Sequence, residues 1–204
     1  MNLYELHSNP TALIKADKIP AKLLMTEVFP ARTKLMHETG EIDNNDTKEM
    51  MGMMTRNKDV ENYLLNDAEH VEDLLLFYAR NVIGGRWKEA EKHGLHFTYA
   101  GDIYDYAKQV IKGRWPEKED IISKNWEYAY YYATNIIRDR WDGKYAKQAE
   151  DAISKDTRSA VAYAIYIDER WDEETETNIL NAWGNDKAEY ITHFDIKFED
   201  ANKF

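Results

Sequence analysis

The chain has 204 residues, a formal net charge of −11 and no cysteine. The missing cysteines exclude disulfides and thiolate metal sites, and the negative charge disfavours direct binding to nucleic-acid phosphates or anionic membranes. No apolar run approaches the roughly 20 residues needed to span a bilayer, and the first residues lack the basic and apolar regions of a signal peptide. We therefore expect a soluble intracellular protein whose acidic surface either attracts a basic partner or only maintains solubility.

The first 57 residues differ from the rest and predict a small helical module. Residues 1–36 hold three of the four prolines and carry a charge of +2, so residues 37–204 carry −13. Pro20 and Pro30 would interrupt and end two short helices. Four methionines follow a polar loop, at positions 50, 51, 53 and 54. They would form either core packing or an adaptable binding face.

A short motif recurs four times between residues 78 and 171: Tyr-Ala, followed by Ile-x-x-Arg-Trp. The copies span residues 78–87, 106–115, 132–141 and 163–171, and successive motif tryptophans are 28, 26 and 30 residues apart. This period leaves room for one helix of about 12 to 15 residues and one of about 8, so it predicts an all-α, solenoid-like array of short α-hairpins. The fourth copy is one residue shorter, which a turn, a local bulge or a shift of helix register would absorb.

Each residue type of the motif has a role in packing between hairpins. A tryptophan at a helix corner can bury its ring under the next hairpin and donate a hydrogen bond. The arginine before it can bond helix carbonyls or pair with an acid of the following helix. The alternative is an exposed row of Arg-Trp pairs that binds a partner. Repetition favours the packing role, because neighbouring units must present the same surface to each other.

The array would span residues 58–177 and end in an atypical cap, residues 178–204, because the outer face of a terminal unit meets water. Residues 178–183 predict a last helix. Residues 190–198 alternate apolar and polar side chains, which predicts either a strand or an extended capping tail.

A dense tyrosine cluster follows the second copy of the motif. Tyr128, Tyr130 and Tyr131 precede the motif tyrosine Tyr132, and four rings this close cannot all point inward from one helix. At least one ring is therefore expected at the surface. The cluster is a candidate partner-binding surface, and the alternative is packing between units.

A run of acids follows the fourth Tyr-Ala pair. Its members are Asp168, Glu169, Asp172, Glu173, Glu174 and Glu176. Such a run is usually a solvated turn. The alternative is that it mimics a phosphate track and binds a basic partner.

The search for catalytic and ligand-binding motifs is negative. The sequence has neither a phosphate-binding glycine loop nor a nucleophile elbow. His93 and His96 are three residues apart, but Gly94 between them disfavours a helical metal site. Glu69 and His70 stand alone, without the second copy that a carboxylate-bridged metal pair needs. We expect no catalytic residues, no cofactor and no metal.

The motif resembles tandem repeats of tailed bacteriophages, particularly large T4-like phages. Residues 110–117, Val-Ile-Lys-Gly-Arg-Trp-Pro-Glu, are the closest match and residues 81–91 nearly as close. The third and fourth copies depart from the pattern at Asp139 and Glu169, where glycine is usual. The resemblance covers roughly residues 67–175, and it implies a phage origin and helical repeats.

These observations predict a non-enzymatic protein that acts in the host cytoplasm. It would bind a host or phage protein, and most simply inhibit or redirect a host defence or transcription factor. A virion structural or assembly component is the first alternative. The second is a small enzyme whose site, near His7 and His37, lies in the N-terminal module.

Overall fold

The computed structural model describes Lys48, residues 51–52, 55–66, 72–92, 97–182 and 184–197. Every regular element within these ranges is helical, so the predicted all-α class is confirmed for the described part of the chain. The predictions for the N-terminal helices, for an enzyme site near His7 and His37, for Met50, Met53 and Met54 and for the histidines at 93 and 96 lie outside the described residues. Met51 is described and buried.

The chain divides into two compact units, Met1–His96 and Phe97–Phe204. The limits predicted at residues 57 and 177 stay predictions. No helix in the described ranges is both long and apolar enough to cross a membrane.

The first unit contains three described helices. They are α1 (Lys58–Asn66), α2 (Glu72–Tyr78, continued by a π-helical turn over Ala79–Ile83) and α3 (Lys88–Lys92). Their buried side chains include Val60 and Leu64 of α1 and Leu74 and Tyr78 of α2. Each pair is four residues apart, the step of an inward helix face.

The second unit alternates two series of helices, called long and short here, although the last member of each series has nine residues. The long ones are α4 (Ala100–Tyr106, with a π-helical turn over Ala107–Ile111), α6 (Trp126–Tyr132, with a π-helical turn over Ala133–Ile137), α8 (Thr157–Ile167) and α10 (Asn185–His193). Between them lie α5 (Glu119–Ile122), α7 (Ala146–Ile153) and α9 (Glu173–Asn181). Each long helix packs against the next, α4 on α6, α6 on α8 and α8 on α10.

The length difference between motif copies is absorbed by a bulge. In the third copy nine residues separate Tyr132 from Trp141, and the helix ends in a π-helical turn whose last N–H, on Arg138, donates to the Ala133 carbonyl. In the fourth copy the spacing is eight residues, α8 stays α-helical, and the Asp168 N–H donates to the Ala164 carbonyl. Both helices therefore end on the alanine of Tyr-Ala, and the wider turn accommodates the extra residue.

The end of the chain corrects two sequence predictions. The helix expected over residues 178–183 is α9 and begins earlier, at Glu173. The strand or extended tail predicted over residues 190–198 is wrong for residues 190–193, which end α10. Tyr190 and Phe194 are four apart and their rings lie 4.8 Å from each other, while Tyr190 is fully buried against α8 and α9. Helical spacing thus overrides the apolar and polar alternation here.

Candidate functional site

An arginine, a glutamate and a tyrosine connect each short helix to the next long helix. Arg114 donates two hydrogen bonds to Glu119, at 2.8 and 3.0 Å. The Tyr132 hydroxyl accepts from the Trp115 backbone N–H at 2.6 Å, and its O–H donates to Glu119 Oε1 at 3.2 Å. Because Tyr132 belongs to the next copy of the motif, this arrangement, which we call the joint, fastens successive copies together.

The same joint recurs along the chain. Its members are Arg140, Glu150, Tyr163 and Trp141, then Arg170, Glu176, Tyr190 and Trp171. In the first unit Arg56 pairs with Glu61, and the Asn57 N–H donates to Tyr78 at 2.8 Å. The sequence motif does not identify the first and last of these joints. Arg56 is not followed by tryptophan, and Tyr190 is not followed by alanine. The motif also missed the glutamates, whose distance from the arginine varies between copies.

The joint fixes the protonation state of its tyrosines. Burial raises the pKa of Tyr78 and of Tyr190 to about 12, and it raises the pKa of Tyr132 and Tyr163 well above the ordinary value. The hydrogen bonds from Arg114 to Glu119 raise the pKa of the guanidinium. The hydroxyls therefore stay protonated and the arginine stays charged across the physiological pH range.

The tryptophan rings of the motif are packing elements. Trp87, Trp115 and Trp141 are buried, and Trp141 is only 2% exposed. Each of these rings, and that of the half-buried Trp171, packs against the tyrosine of its own motif copy with centroids 5.0–5.6 Å apart. Trp141 also donates from Nε1 to the Ala129 carbonyl at 2.9 Å. The packing role predicted for Arg-Trp is confirmed, and the exposed binding row is wrong, because the rings needed for it are used inside the joints.

Ion pairs connect neighbouring joints in the second unit. Nη1 of Arg114, which Glu119 does not use, pairs with Asp142 beside Trp141, and Nη1 of Arg140 pairs with Glu169 beside Arg170. A cavity of about 310 Å³ lies between the joints of Arg140 and Arg170. Arg140, Glu150 and Arg170 are paired in these joints and Glu169 pairs with Arg140. Lys147 pairs with Asp151 and Asp172 caps α9, so these charges already have partners within the chain.

Four members of the acidic run make contacts within the chain. Glu176 belongs to the last joint, and Glu169 pairs with Arg140. Asp172 caps α9 by accepting from the Thr175 N–H at 2.8 Å, which lowers the pKa of its carboxyl. Asp168 lies 3.0 Å from the imidazole of His193.

Glu173 and Glu174 complete this run in the first turn of α9, where both are exposed. Their carboxylates complement the positive end of the helix dipole. Partner binding by the acidic run stays a prediction.

The tyrosine cluster divides between the interior and the surface. Tyr132 is buried in its joint, while Tyr128 and Tyr131 lie against Tyr104 of α4, with centroids 5.9 and 6.0 Å away. Tyr131 is 38% exposed, so the expectation of at least one surface ring is confirmed. Gly101 makes this packing possible, because a Cβ there would lie 2.8 Å from the Tyr128 hydroxyl.

An open groove runs across α6, α8 and α10, with a volume of about 1030 Å³. Two of the predicted residues, Tyr130 and Tyr131, line it. The other lining side chains that matter for recognition are Trp126, Glu127, Asp156, Arg158, Asp186 and Glu189. Sequence reasoning missed these because they come from three helices far apart in the chain. The available signal was Trp126, a tryptophan outside the repeated motif.

The described residues include no group of three or more histidine, aspartate or glutamate side chains that could hold a metal ion. The residues singled out for metal binding, at positions 69, 70, 93 and 96, lie outside the described ranges.

Comparisons of the chain with protein-family models, with curated proteins and with solved structures gave no match. The resemblance to bacteriophage repeats stays a prediction, and function has to be argued from the joints and the groove.

Proposed function

We propose that this chain is a non-enzymatic helical-repeat protein that binds another protein through the groove across α6, α8 and α10. The observation that carries the proposal is the exposure of aromatic side chains at this groove. Trp126 is 42% and Tyr131 38% exposed, whereas the tyrosines of the joints are fully buried. Tryptophan and tyrosine are the residues most enriched at the energetic centres of protein interfaces.

The repeated joints support this proposal by making the groove rigid. Each wall of the groove is a long helix whose end is held by a buried tyrosine hydroxyl, an arginine and a glutamate. A preformed surface loses little conformational entropy when a partner binds. A solenoid-like stack of helical hairpins typically presents such a continuous binding face.

The biological part of the proposal rests on the resemblance to bacteriophage repeats. The partner would be a host or phage protein in the host cytoplasm, and binding would inhibit or redirect it. The surface would act by shape and chemistry, without catalysis.

Site-specific photo-cross-linking in a bacterial lysate tests the proposal. A benzophenone amino acid replaces Tyr131 in the groove, and a matched variant carries it at Lys147, whose side chain is 89% exposed on α7. We expect one discrete cross-linked protein from position 131 and none from position 147. The proposal is overturned if position 131 captures no protein, or if both positions capture the same set. Capture of a virion protein would replace the host-directed role with an assembly role.

A further inference from the structure

The charges lining the groove indicate which kind of protein segment it binds. We infer that the groove holds a segment bearing arginine or lysine beside an apolar or aromatic anchor. This inference rests on the proposed function, since it specifies the chemistry of the partner at the same surface.

The groove is strongly negative for its size. Its lining contains the four carboxylates of Glu127, Asp156, Asp186 and Glu189 and one guanidinium, that of Arg158. The local balance is therefore −3. Charged side chains across an interface are arranged so that their potentials are complementary, which speeds association and rejects partners of the wrong sign. An acidic segment or a nucleic acid is disfavoured by the same charges.

The aromatic rings provide a second reason to expect a cation. Trp126 and Tyr131 stand beside these carboxylates, and a cation placed over an aromatic ring within about 6 Å of its centroid is attracted to the ring face. The second unit already contains this arrangement internally. Lys144 Nζ lies 5.0 Å from the ring centroid of Tyr145.

The lining acids are not equivalent. Asp156 caps α8, accepting from the Ser159 N–H at 2.9 Å, so part of its charge is already engaged. Asp186 and Glu189 lie on α10, one in its first turn and the other one turn later. They provide the charges best placed for a partner's cation.

Arg158 is exposed on α8. It disfavours a uniformly basic segment and favours one with an acid or a carbonyl group at one position.

Selection from a display library of random twelve-residue peptides on the immobilised full-length protein tests the inference. We expect the selected peptides to be enriched in arginine or lysine together with an aromatic residue. Synthetic copies should bind with an affinity that falls as salt rises, because the attraction is electrostatic.

Matched charge reversals test whether peptide binding depends on the carboxylates of the groove. The groove variant carries Asp186→Lys and Glu189→Lys. The control carries Glu89→Lys and Glu117→Lys, two exposed acids at equivalent positions after Trp87 and Trp115. Both variants change the net charge by the same amount, and thermal melts check that both stay folded. We expect the groove variant to bind the selected peptides at least about tenfold more weakly and the control to bind them within about twofold.

The outcomes separate the inference from the proposed function. Peptides that compete with one another and lose binding in Trp126→Ala, yet show no excess of basic residues, would overturn the inference and leave the groove a binding surface. Equal weakening by both charge variants would also overturn it, because net charge alone would then explain the binding. If no selected peptide depends on Trp126, Asp186 or Glu189, both the inference and the function proposed for the groove are wrong.

Discussion

The third and fourth motif copies, which end α6 and α8, have the same residues in their joints. The residues that their helices present to the groove differ. Tyr132 and Tyr163 occupy the same place in their joints, and each accepts a hydrogen bond from the backbone N–H of the tryptophan of the preceding motif copy, Trp115 or Trp141. On the groove side the equivalent positions carry unrelated chemistry. Trp126 corresponds to Thr157, Glu127 to Arg158, and Tyr131 to Ala162.

This comparison separates two kinds of constraint. A joint residue must fit the next copy, so it recurs wherever a joint is built. A groove residue meets solvent or a partner, so it can vary from copy to copy. Function is therefore expected among the residues that do not repeat.

The largest expected effect comes from replacing one joint tryptophan and one groove tryptophan with alanine. Trp141→Ala removes a buried ring and a hydrogen bond to the Ala129 carbonyl, so the free energy of unfolding should fall by about 3–5 kcal/mol. Trp126→Ala, at the exposed groove, should change it by no more than about 0.5 kcal/mol. Urea unfolding followed by circular dichroism measures both. Equal losses would contradict the division into joint and groove residues.

A pair of deletions tests the difference in helix length. Asn135 and Tyr166 are exposed and lie three residues after Tyr132 and Tyr163. Deleting Asn135 should convert the π-helical turn into the α-helical ending that the fourth copy already has. Deleting Tyr166 should draw Trp171 and Arg170 away from their joint, with a loss of about 2–4 kcal/mol.

Chemical denaturation of both deletion variants measures the difference. We expect the Asn135 deletion to retain most of the stability. A larger loss for the Asn135 deletion would show that the π-helical turn is required in the third copy.

Alkaline pH tests the joints through their tyrosines. The pKa of Tyr78 and of Tyr190 is raised to about 12 in the folded protein, whereas an unfolded chain releases the proton near pH 10. Stability is therefore full below about pH 10 and falls as the pH rises toward about 12, by at most about 1.4 kcal/mol per pH unit for each such tyrosine.

Tyr190→Phe should remove one part of this alkaline slope. At neutral pH it should cost about 1–3 kcal/mol, since the Trp171 N–H and Glu176 lose a partner. Tyr131→Phe, at the exposed groove, is the control. Denaturation curves across the alkaline range measure both slopes, and an unchanged slope in Tyr190→Phe would contradict the role of the joint.

The smallest expected effect concerns the C-cap residues of the third and fourth motif copies, Arg138 and Asp168. Arg138 and Asp168 both have positive φ, 61° and 57°, which is costly for a residue with a Cβ. Arg138→Gly should raise the free energy of unfolding by about 0.5–1 kcal/mol. Asp168→Gly should gain less, because aspartate tolerates this conformation better and its carboxylate faces His193. Thermal melts of the two variants measure the difference, and an equal gain would contradict this distinction.

The spacing of Tyr-Ala and Arg-Trp was sufficient to predict the all-α class, the positions of the long helices α4, α6 and α8 and the packing role of the tryptophans. The spacing did not predict the glutamates of the joints or the joint of Tyr190. Glu119 and Glu150 lie five and ten residues after their arginines, so no fixed spacing marks them. Tyr190 sits in a segment whose alternation favours a strand, and only its burial against α8 and α9 makes that segment helical.

The sequence by itself determined that one motif recurs, because its four copies keep Tyr-Ala and Ile-x-x-Arg-Trp at nearly the same spacing. It also indicated that at least one ring of the tyrosine cluster has to reach the surface. The tertiary structure alone decided which ring does so and what surrounds it. Trp126, Arg158 and Glu189 are spread over more than sixty residues of chain, and they line one groove because α6, α8 and α10 pack in sequence. That proximity depends on long-range packing, which local sequence patterns do not encode.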